Sequence, residues 1–329
     1  MLTNIDGLFS KDVVSQLIGE GRRLLLSGEA SLLRELPKGS WIGGSIPYFL
    51  TAQGGLKTQD KIFVRELPSF TQSVKVQVYD KNTLEGVYHD APRSGFSFMI
   101  LPGFSEVHSF FALRAPELSG FGTRPLLGWV SGFSLEGEAT EALVFDGTTG
   151  SAFTNRAVVC HVELPVHKVV DINIVNLFEQ GDGDVIVFPE DGFQITWAEI
   201  NGERCRFSDY LLARKVDTKL PLVSDLQGVS LNTSFKQVDA SQGVVSLFAP
   251  VYQGFEYRLA RPVGDYVAEF EKRVADIDGD ELFFSCNCVL NYLYAGLEGR
   301  KTGLFRGPAT FGEIAYQLLN QTLVYLTIS

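Results

Sequence analysis

Two cysteines near the end of the chain carry the side chains best suited to chemistry. Cys286 and Cys288 are separated by one residue, where an apolar run from Leu282 gives way to apolar residues at helical spacing. A helix N-terminus lowers a thiol pKa and thiolates favour soft metals, so the pair could supply two metal ligands, completed by Cys160 and His161. Structural zinc sites, however, usually space paired cysteines by two or more residues. Because free cysteines are commonly buried, we favour small buried residues at a strand-to-helix junction.

A lone carboxylate is the second candidate. Glu313 stands between Gly312 and Ile314 at the start of an apolar strand. In such a setting a carboxylate must find hydrogen-bond donors, or its pKa must rise. Two roles stay open: a structural one, in which Glu313 accepts hydrogen bonds from the loop at residues 307–310, and a ligand-anchoring one. We favour the structural role, since structural networks perturb acids at least as often as functional sites do.

Other patterns of catalysis or metal binding find less support. Cys160 and His161 are adjacent on a predicted strand, so their side chains point to opposite faces and form no local dyad. The acidic stretch from Asp182 to Asp184 is followed by apolar residues where a calcium loop needs ligands, which indicates a solvated hairpin loop. The sequence also has no P-loop, Rossmann fingerprint, Gly-x-Ser-x-Gly elbow or His-Glu-x-x-His motif.

The elements that must position these residues are mostly strands. Residues 282–285 read as a buried strand, residues 286–297 as a helix, and Gly303, Gly307 and Pro308 as a loop that leads to Glu313. Near the start of the chain, residues 11–26 have mostly helical spacing. Strands and helices alternate without a regular βαβ repeat, so the sequence predicts an α+β fold of mixed β-sheets covered by helices, in αββα-like layers.

A short internal similarity suggests that this fold has two pseudo-repeated halves. Residues 43–50 and 311–318 share Gly, Ile, Tyr and Leu at the same offsets. We place the boundary near Pro165, with one half at residues 1–165 and the other at 166–329. No Pro/Ser-rich linker separates the halves, so we expect one cooperative folding unit.

The similarity also predicts where a ligand would bind. Residues 41–50 read as an apolar strand interrupted by a Gly-Gly-Ser turn, and adjacent glycines admit close approach of a ligand or of another chain segment. We expect this turn, the strand-to-helix junction and the segment around Glu313 to converge on a mostly apolar pocket with few polar anchors. The predicted ligand-binding residues are Gly43, Gly44, Ser45, Ser285, Cys286, Cys288, Gly312 and Glu313.

The order of motifs in the last fifty residues resembles the C-terminal domain of the FIST family, predicted sensory modules of signal-transduction proteins. The matching positions are Phe284 with Cys286, then residues 312–314, then Asn320 with Thr322 and Leu323. The turn at residues 43–45 is similar to a Gly-Gly-Thr type turn of the family's N-terminal domain. Asn287 replaces the basic residue that commonly follows the family's cysteine.

The resemblance implies a FIST N-like and a FIST C-like half, and a non-enzymatic sensory protein that binds a small molecule. Two alternatives stay open: an enzyme that depends on Cys286, Cys288 or Glu313, and a haem-based gas sensor with His161 or His167 as ligand. With four histidines and no second cysteine pair, we expect neither haem nor structural zinc, and no other cofactor.

Composition sets limits on location and partners. The net charge of −11 argues against a nucleic-acid partner, which would require clustered Lys and Arg to neutralise phosphates. The sequence shows neither a signal peptide nor an apolar run of ~18 residues, so we expect a cytoplasmic protein that does not enter a membrane. A separate signalling protein and a homodimer are compatible with the sequence.

Overall fold

The computed structural model describes residues 5–136, 141–226, 229–277 and 279–329. Strands make up 41% of the chain and helices 16%, arranged in several mixed sheets, which confirms the α+β class. In the described part of the chain, no helix is both long and apolar enough to cross a membrane.

The first half of the chain is mostly strands with three helices. The helices are α1 (Lys11–Gly19), α2 (Ala30–Arg34) and α3 (Glu106–Arg114), with short 3-10 helices at Leu84–Gly86 and Ala115–Glu117. The strands are β1 (Asp6–Phe9), β2 (Leu24–Gly28), β3 (Trp41–Ser45), β4 (Tyr48–Thr51), β5 (Gly54–Lys57), β6 (Ile62–Glu66), β7 (Ser73–Tyr79), β8 (Gly95–Pro102), β9 (Leu126–Ser131), β10 (Val144–Asp146), β11 (Ser151–Phe153) and β12 (Ala157–Glu163).

The second half follows the same mixed pattern. Its helices are α4 (Phe207–Ala213), α5 (Tyr266–Arg273) and α6 (Val289–Tyr294). Its strands are β13 (Val170–Val175), β14 (Ile186–Val187), β15 (Gly192–Ile195), β16 (Trp197–Ile200), β17 (Glu203–Arg206), β18 (Leu222–Leu226), β19 (Val229–Thr233), β20 (Phe235–Asp239), β21 (Val244–Val251), β22 (Glu256–Leu259), β23 (Leu282–Cys288), β24 (Gly307–Thr310), β25 (Glu313–Ala315), β26 (Gln317–Leu319) and β27 (Leu323–Ile328).

Within the described ranges these strands form five sheets. The N-terminal sheet has the order β1-β6-β2-β3-β10-β11, the central sheet β26-β25-β9-β8-β12-β7, and the C-terminal sheet β13-β27-β23-β24-β4-β5. The remaining two sheets, β17-β16-β14-β22-β18-β19 and β15-β21-β20, lie wholly within residues 186–259, which we call the inserted module. The module has a hydrophobic core of its own around Phe188, Phe207 and Tyr257.

Strands from both sides of the expected boundary at Pro165 share sheets. In the central sheet β25, from the end of the chain, pairs with β9, and in the C-terminal sheet β4, from the first half, pairs with β24. One hydrophobic cluster accordingly runs from Leu25 to Leu326. The pseudo-repeat is not confirmed: β3 pairs with β2 and β10, whereas its proposed counterpart β25 pairs with β9 and β26.

The predicted helix at residues 11–26 is wrong in its second half. α1 ends at Gly19, and the chain turns through Gly21, which adopts a φ of 75° that favours glycine. The leucines that follow form β2, a strand buried on both faces. Leu25 joins the main core, while Leu24 and Leu26 pack in the cluster that contains the buried residues of α1 and α2. Three consecutive leucines satisfy this two-sided burial, which helical spacing alone does not distinguish from a helix.

Two predicted irregular segments also prove to be strands. Gly43 to Ser45 do not form a turn, because they continue β3, and the break falls at Ile46–Pro47. Residues 307–310, expected to be a loop, form β24, which lies between β23 and β4. In both cases partner strands from elsewhere in the chain supply the backbone hydrogen bonds that stabilise an extended segment rich in glycine, which has a low intrinsic tendency to form strands.

Candidate functional site

The predicted change from strand to helix is observed, but three residues later than expected. Cys286 to Cys288, expected to begin the helix, belong to β23, and the helix ends at Tyr294 and not at Leu297. β23 ends at Cys288 and α6 begins at Val289. Cys286 faces the central sheet, where its Sγ lies 3.6 Å from the carbonyl oxygen of Gly128. All four cysteines of the chain are free, and Cys286 and Cys288 are both buried. Burial, and then the neighbouring Glu313 carboxyl, raise the pKa of both thiols well above the ordinary value. The two cysteines therefore lie in the core as protonated thiols, which are poor nucleophiles.

Glu313 is completely buried next to Cys288, and its side chain has partners for both oxygens. Oε2 accepts hydrogen bonds from the backbone N–H of Thr322 at 3.2 Å and from its hydroxyl at 2.9 Å. Oε1 lies 3.3 Å from the hydroxyl of Thr310. The expectation of partners at residues 307–310 is met in part: Thr310 contributes its hydroxyl, whereas Thr322, which binds the other oxygen, comes from the turn after β26. Glu313 and Thr322 belong to two different motifs of the resemblance to the FIST family, and their hydrogen bonds link these two segments.

Burial raises the pKa of Glu313 from 4.5 to about 8, and its hydrogen bonds offset part of that rise. The side chain is therefore mostly protonated at neutral pH. The local geometry suits the neutral acid: Oε1–H can donate to the Thr310 hydroxyl, which in turn donates to the Gly312 carbonyl oxygen at 3.0 Å. Every polar atom of the group is satisfied in this arrangement, as a completely buried acid requires.

The predicted convergence of three stretches is only partly observed. Ser285 to Cys288 and Gly312–Glu313 lie together, whereas Gly43 to Ser45 lie in the N-terminal sheet, one layer away. A Cβ on Gly44 would come within 2.6 Å of the Trp129 ring, and Trp129 pairs with Glu313 across β9 and β25. The glycine therefore makes room for an indole and not for a ligand.

Three of the remaining predicted residues have structural contacts. The Ser45 hydroxyl donates to the Gly132 carbonyl oxygen and accepts from the Leu143 N–H, and the Ser285 hydroxyl donates to the Arg306 carbonyl oxygen. A Cβ on Gly312 would lie 2.8 Å from the Leu318 side chain. These three residues are all packed in the interior.

A pocket lies instead beside the buried cluster formed by Cys286, Cys288 and Glu313. It has a volume of about 410 Å³ and lies between the inserted module, the start of α5 and α6. We call it the Asn291 pocket. Its aromatic and carboxamide lining consists of Phe178, Tyr266, Tyr294, Asn291 and Gln321. Charged residues of both signs lie around it: Asp217, Lys219, Asp265 and Arg300.

The orientation of the Asn291 carboxamide follows from its neighbours. The backbone N–H of Cys288 lies 2.8 Å from the Asn287 side chain, so the atom facing it must be the acceptor, Oδ1. The same oxygen accepts from Asn291 Nδ2 at 2.9 Å. The Asn291 Oδ1 atom is thereby left as an acceptor, and it is buried without a hydrogen-bond partner among the described residues. Leaving such an acceptor unsatisfied costs about 1–3 kcal/mol.

Two further lining residues are held by specific contacts. Tyr266 lies beside both carboxamides, and burial raises the pKa of its hydroxyl. Gln321 has a φ of 49°, unusual for a residue other than glycine. Its side chain accepts from the Ser234 hydroxyl and donates to the Lys219 carbonyl oxygen, both in the inserted module. The turn at Gln321 is therefore fixed by the module.

Sequence reasoning missed Asn291, Tyr266 and Gln321. Asn287 and Asn291 are four residues apart and both fall in the helix predicted at residues 286–297, whereas in the structure Asn287 belongs to β23 and Asn291 to α6. Only the Asn-Gln-Thr run at residues 320–322 was a visible signal of a polar turn.

The histidines proposed as haem ligands have different environments. Both ring nitrogens of His161 are engaged, Nε2 with the Tyr79 hydroxyl at 2.9 Å and Nδ1 with the Ser97 hydroxyl at 2.8 Å. Burial lowers the pKa of His161 to about 4. His167 is exposed on the surface. Among the described residues, no group of three or more His, Cys, Asp or Glu side chains is arranged to hold a metal ion.

Comparison with known proteins assigns the chain to a family but not to an activity. None of the curated proteins compared with the chain matches it. One family model, described as a family of unknown function (DUF6976), matches residues 9–329. The match includes the central and C-terminal sheets, the N-terminal sheet except most of β1, the inserted module and every residue of the Asn291 pocket. The chain therefore belongs to the DUF6976 family.

Proposed function

We propose that the protein is a non-enzymatic sensory protein of the FIST-like type that binds a small molecule in the Asn291 pocket. The observation that carries this proposal is the buried Oδ1 acceptor of Asn291 in the lining of a pocket of ligand size. A donor group on a bound ligand would satisfy that acceptor. Small-molecule sites are typically clefts of about 300–1,000 Å³ with apolar walls and a few polar groups that orient the ligand.

The position of the pocket suits a sensor. Its lining includes Asp217 to Leu220 from the inserted module, Tyr266 from α5 and Asn291 from α6. A ligand that contacts all three elements would stabilise one arrangement of the module against the rest of the chain. Ligand binding can shift a conformational equilibrium only through such differential contacts. We propose that a separate signalling protein in the cytoplasm recognises the stabilised arrangement.

The buried cluster behind the pocket supports the FIST-like part of the proposal. Cys286, Glu313 and Thr322, which are motif positions of the resemblance, belong to one buried region, and Glu313 bonds directly to Thr322. Asn287 and Asn291 lie between this region and the pocket. The raised pKa values of both thiols do not favour the enzymatic alternative.

Two neighbouring residues of α6 provide a matched test. Tyr294 and Leu293 are 38% and 39% exposed, but only Tyr294 lines the Asn291 pocket. Native mass spectrometry of the purified protein, followed by a thermal-shift screen of metabolites, would identify a ligand. We expect Tyr294→Ala to weaken binding of that ligand at least about fivefold, because an aromatic contact is lost, and Leu293→Ala to leave binding unchanged.

Two outcomes would contradict the proposal. One is that no small molecule co-purifies with the protein or raises its melting temperature. The other is that Tyr294→Ala and Leu293→Ala bind the identified ligand as well as the unmodified protein does.

A further inference from the structure

We infer that the ligand is a nucleoside phosphate whose amino-bearing base occupies the Asn291 pocket and whose phosphate lies in an adjoining basic pocket. This inference rests on the proposed function and adds the chemical class of the ligand. It depends on the carboxamide acceptor, the aromatic side chains and the distribution of cations along one continuous groove.

The Asn291 pocket combines the groups that bind a planar heteroaromatic ring. Phe178, Tyr266 and Tyr294 offer aromatic surface, and any of the nucleobases can stack on such a surface. Asn291 Nδ2 donates one of its two N–H groups to Asn287, and Oδ1 is the atom of this side chain that has no hydrogen-bond partner among the described residues. Oδ1 can only accept a hydrogen bond. It therefore selects a base with an exocyclic amino group, as in adenine, over one that presents a carbonyl oxygen at the same position.

A second pocket of about 550 Å³ adjoins the first and carries the positive charge. The two pockets share Val263 and Gly264. A Cβ placed on Gly264 would meet no other atom within 4 Å, so the shared edge is open. We call the second pocket the basic pocket. A ligand of nucleotide length can extend from one pocket into the other along this edge.

Three cations line the basic pocket: Arg261, Lys272 and Arg273, together with Glu179 and Glu269. Arg261 forms an ion pair with Asp182 at 2.8 Å. Lys272 and Arg273, both exposed in the last turn of α5, form no ion pair with any described residue. Two cations without an ion-pair partner attract an anionic group to the pocket beside them, although the net charge of the chain is −11.

The rim between base and phosphate suits a ribose. Asp265 follows Gly264, which both pockets share, and it forms an ion pair of 2.6 Å with Arg300. Carboxylates accept hydrogen bonds from sugar hydroxyls without requiring a cation on the ligand. The groove thus offers an aromatic and carboxamide end for the base, the Asp265 carboxylate next to the shared edge for the sugar, and a basic end for the phosphate.

Isothermal titration calorimetry with four probes tests each part: adenosine, inosine, adenosine 5′-monophosphate and inorganic phosphate. We expect adenosine monophosphate to bind most tightly. Adenosine should bind about tenfold more tightly than inosine, because inosine leaves the Asn291 acceptor facing a carbonyl oxygen. The double variant Lys272→Glu/Arg273→Glu should lower the affinity for adenosine monophosphate about tenfold and leave adenosine unaffected.

The double variant Arg34→Glu/Lys38→Glu is the matched control, since it changes the net charge equally at two exposed cations outside both pockets. It should leave all affinities unchanged. Equal binding of adenosine and its monophosphate would overturn the phosphate assignment, and a preference for inosine would overturn the base assignment. If a ligand of another class co-purifies and no nucleoside binds, the inference fails while the proposed function stands. If no small molecule binds at all, both fail.

Discussion

Substitution of Glu313 by glutamine should make the stability of the protein less dependent on pH. Glutamine reproduces the neutral acid: its Oε1 can accept from the Thr322 N–H and hydroxyl, and its amide can donate to the Thr310 hydroxyl, as the protonated carboxyl does. It cannot ionise. We therefore expect Glu313→Gln to match the unmodified protein at pH 5 within about 1 kcal/mol and to be more stable above pH 8.

The magnitude follows from the two pKa values of Glu313. The ordinary value is 4.5 and the folded value is about 8, so the folded state binds the proton more tightly than the unfolded state. The resulting stabilisation is complete below pH 4.5 and is lost as the pH rises through 8. At about 1.4 kcal/mol per unit, a difference of about 3.5 units corresponds to ~5 kcal/mol at most.

Urea denaturation of both proteins at several pH values between 5 and 8.5 measures this effect. Two buried histidines, His108 and His161, have lowered pKa values of about 4, so they change stability in the opposite direction, with stability gained as the pH rises from about 4 to 6.5. They are present in both proteins, and their contribution cancels in the difference between the two curves. A Glu313→Gln protein that is less stable by a constant amount at every pH would refute the reasoning, because it would mean that the folded state holds an ionised carboxylate.

Three further predictions concern packing, folding and cofactors. Gly44→Ala should destabilise the protein by about 1–3 kcal/mol in urea denaturation, because the new Cβ overlaps Trp129 and Ile100; Gly183→Ala, where the Cβ meets nothing within 4 Å, is the control and should be neutral. Residues 1–165 expressed alone should lack a cooperative thermal transition, since β9 loses β25 and β4 loses β24; a sharp calorimetric transition of this fragment would contradict the shared sheets. Purified protein should show no Soret band and retain no stoichiometric zinc after dialysis, and either finding would refute the expectation from its few histidines.

The sequence predicted the local features of the candidate site well. The apolar run of β23 and the helical spacing after it predicted a strand-to-helix junction within three residues of its observed position at Cys288, because local hydrophobic periodicity reports a change of secondary structure directly. The isolated carboxylate of Glu313 in an apolar segment correctly indicated a buried, hydrogen-bonded acid. The mixed order of strands and helices indicated the α+β class. Each of these conclusions depends on residues close together in the chain.

What the sequence alone could not decide depends on contacts between distant segments. The three leucines of β2 fit a helix or a strand equally until both faces of the sheet are covered. Gly43 to Ser45 resemble a turn until β2 and β10 pair with them on either side. Glu313 has one partner in the adjacent segment, the Thr310 hydroxyl, and a second, Thr322, nine residues away across a hairpin, which the sequence did not indicate.

The pocket is the clearest case of a feature that only the tertiary structure decides. Asn291 reads as an ordinary helical residue in the sequence, and its acceptor becomes significant only because Cys288 and Asn287 orient it and because the inserted module lies opposite. Hydrogen-bond satisfaction is a property of the assembled three-dimensional neighbourhood, whereas hydrophobic periodicity is a property of the chain. The sequence by itself therefore determined the α+β class and the buried acid, and the packing of distant segments determined several of the strands and the position of the pocket.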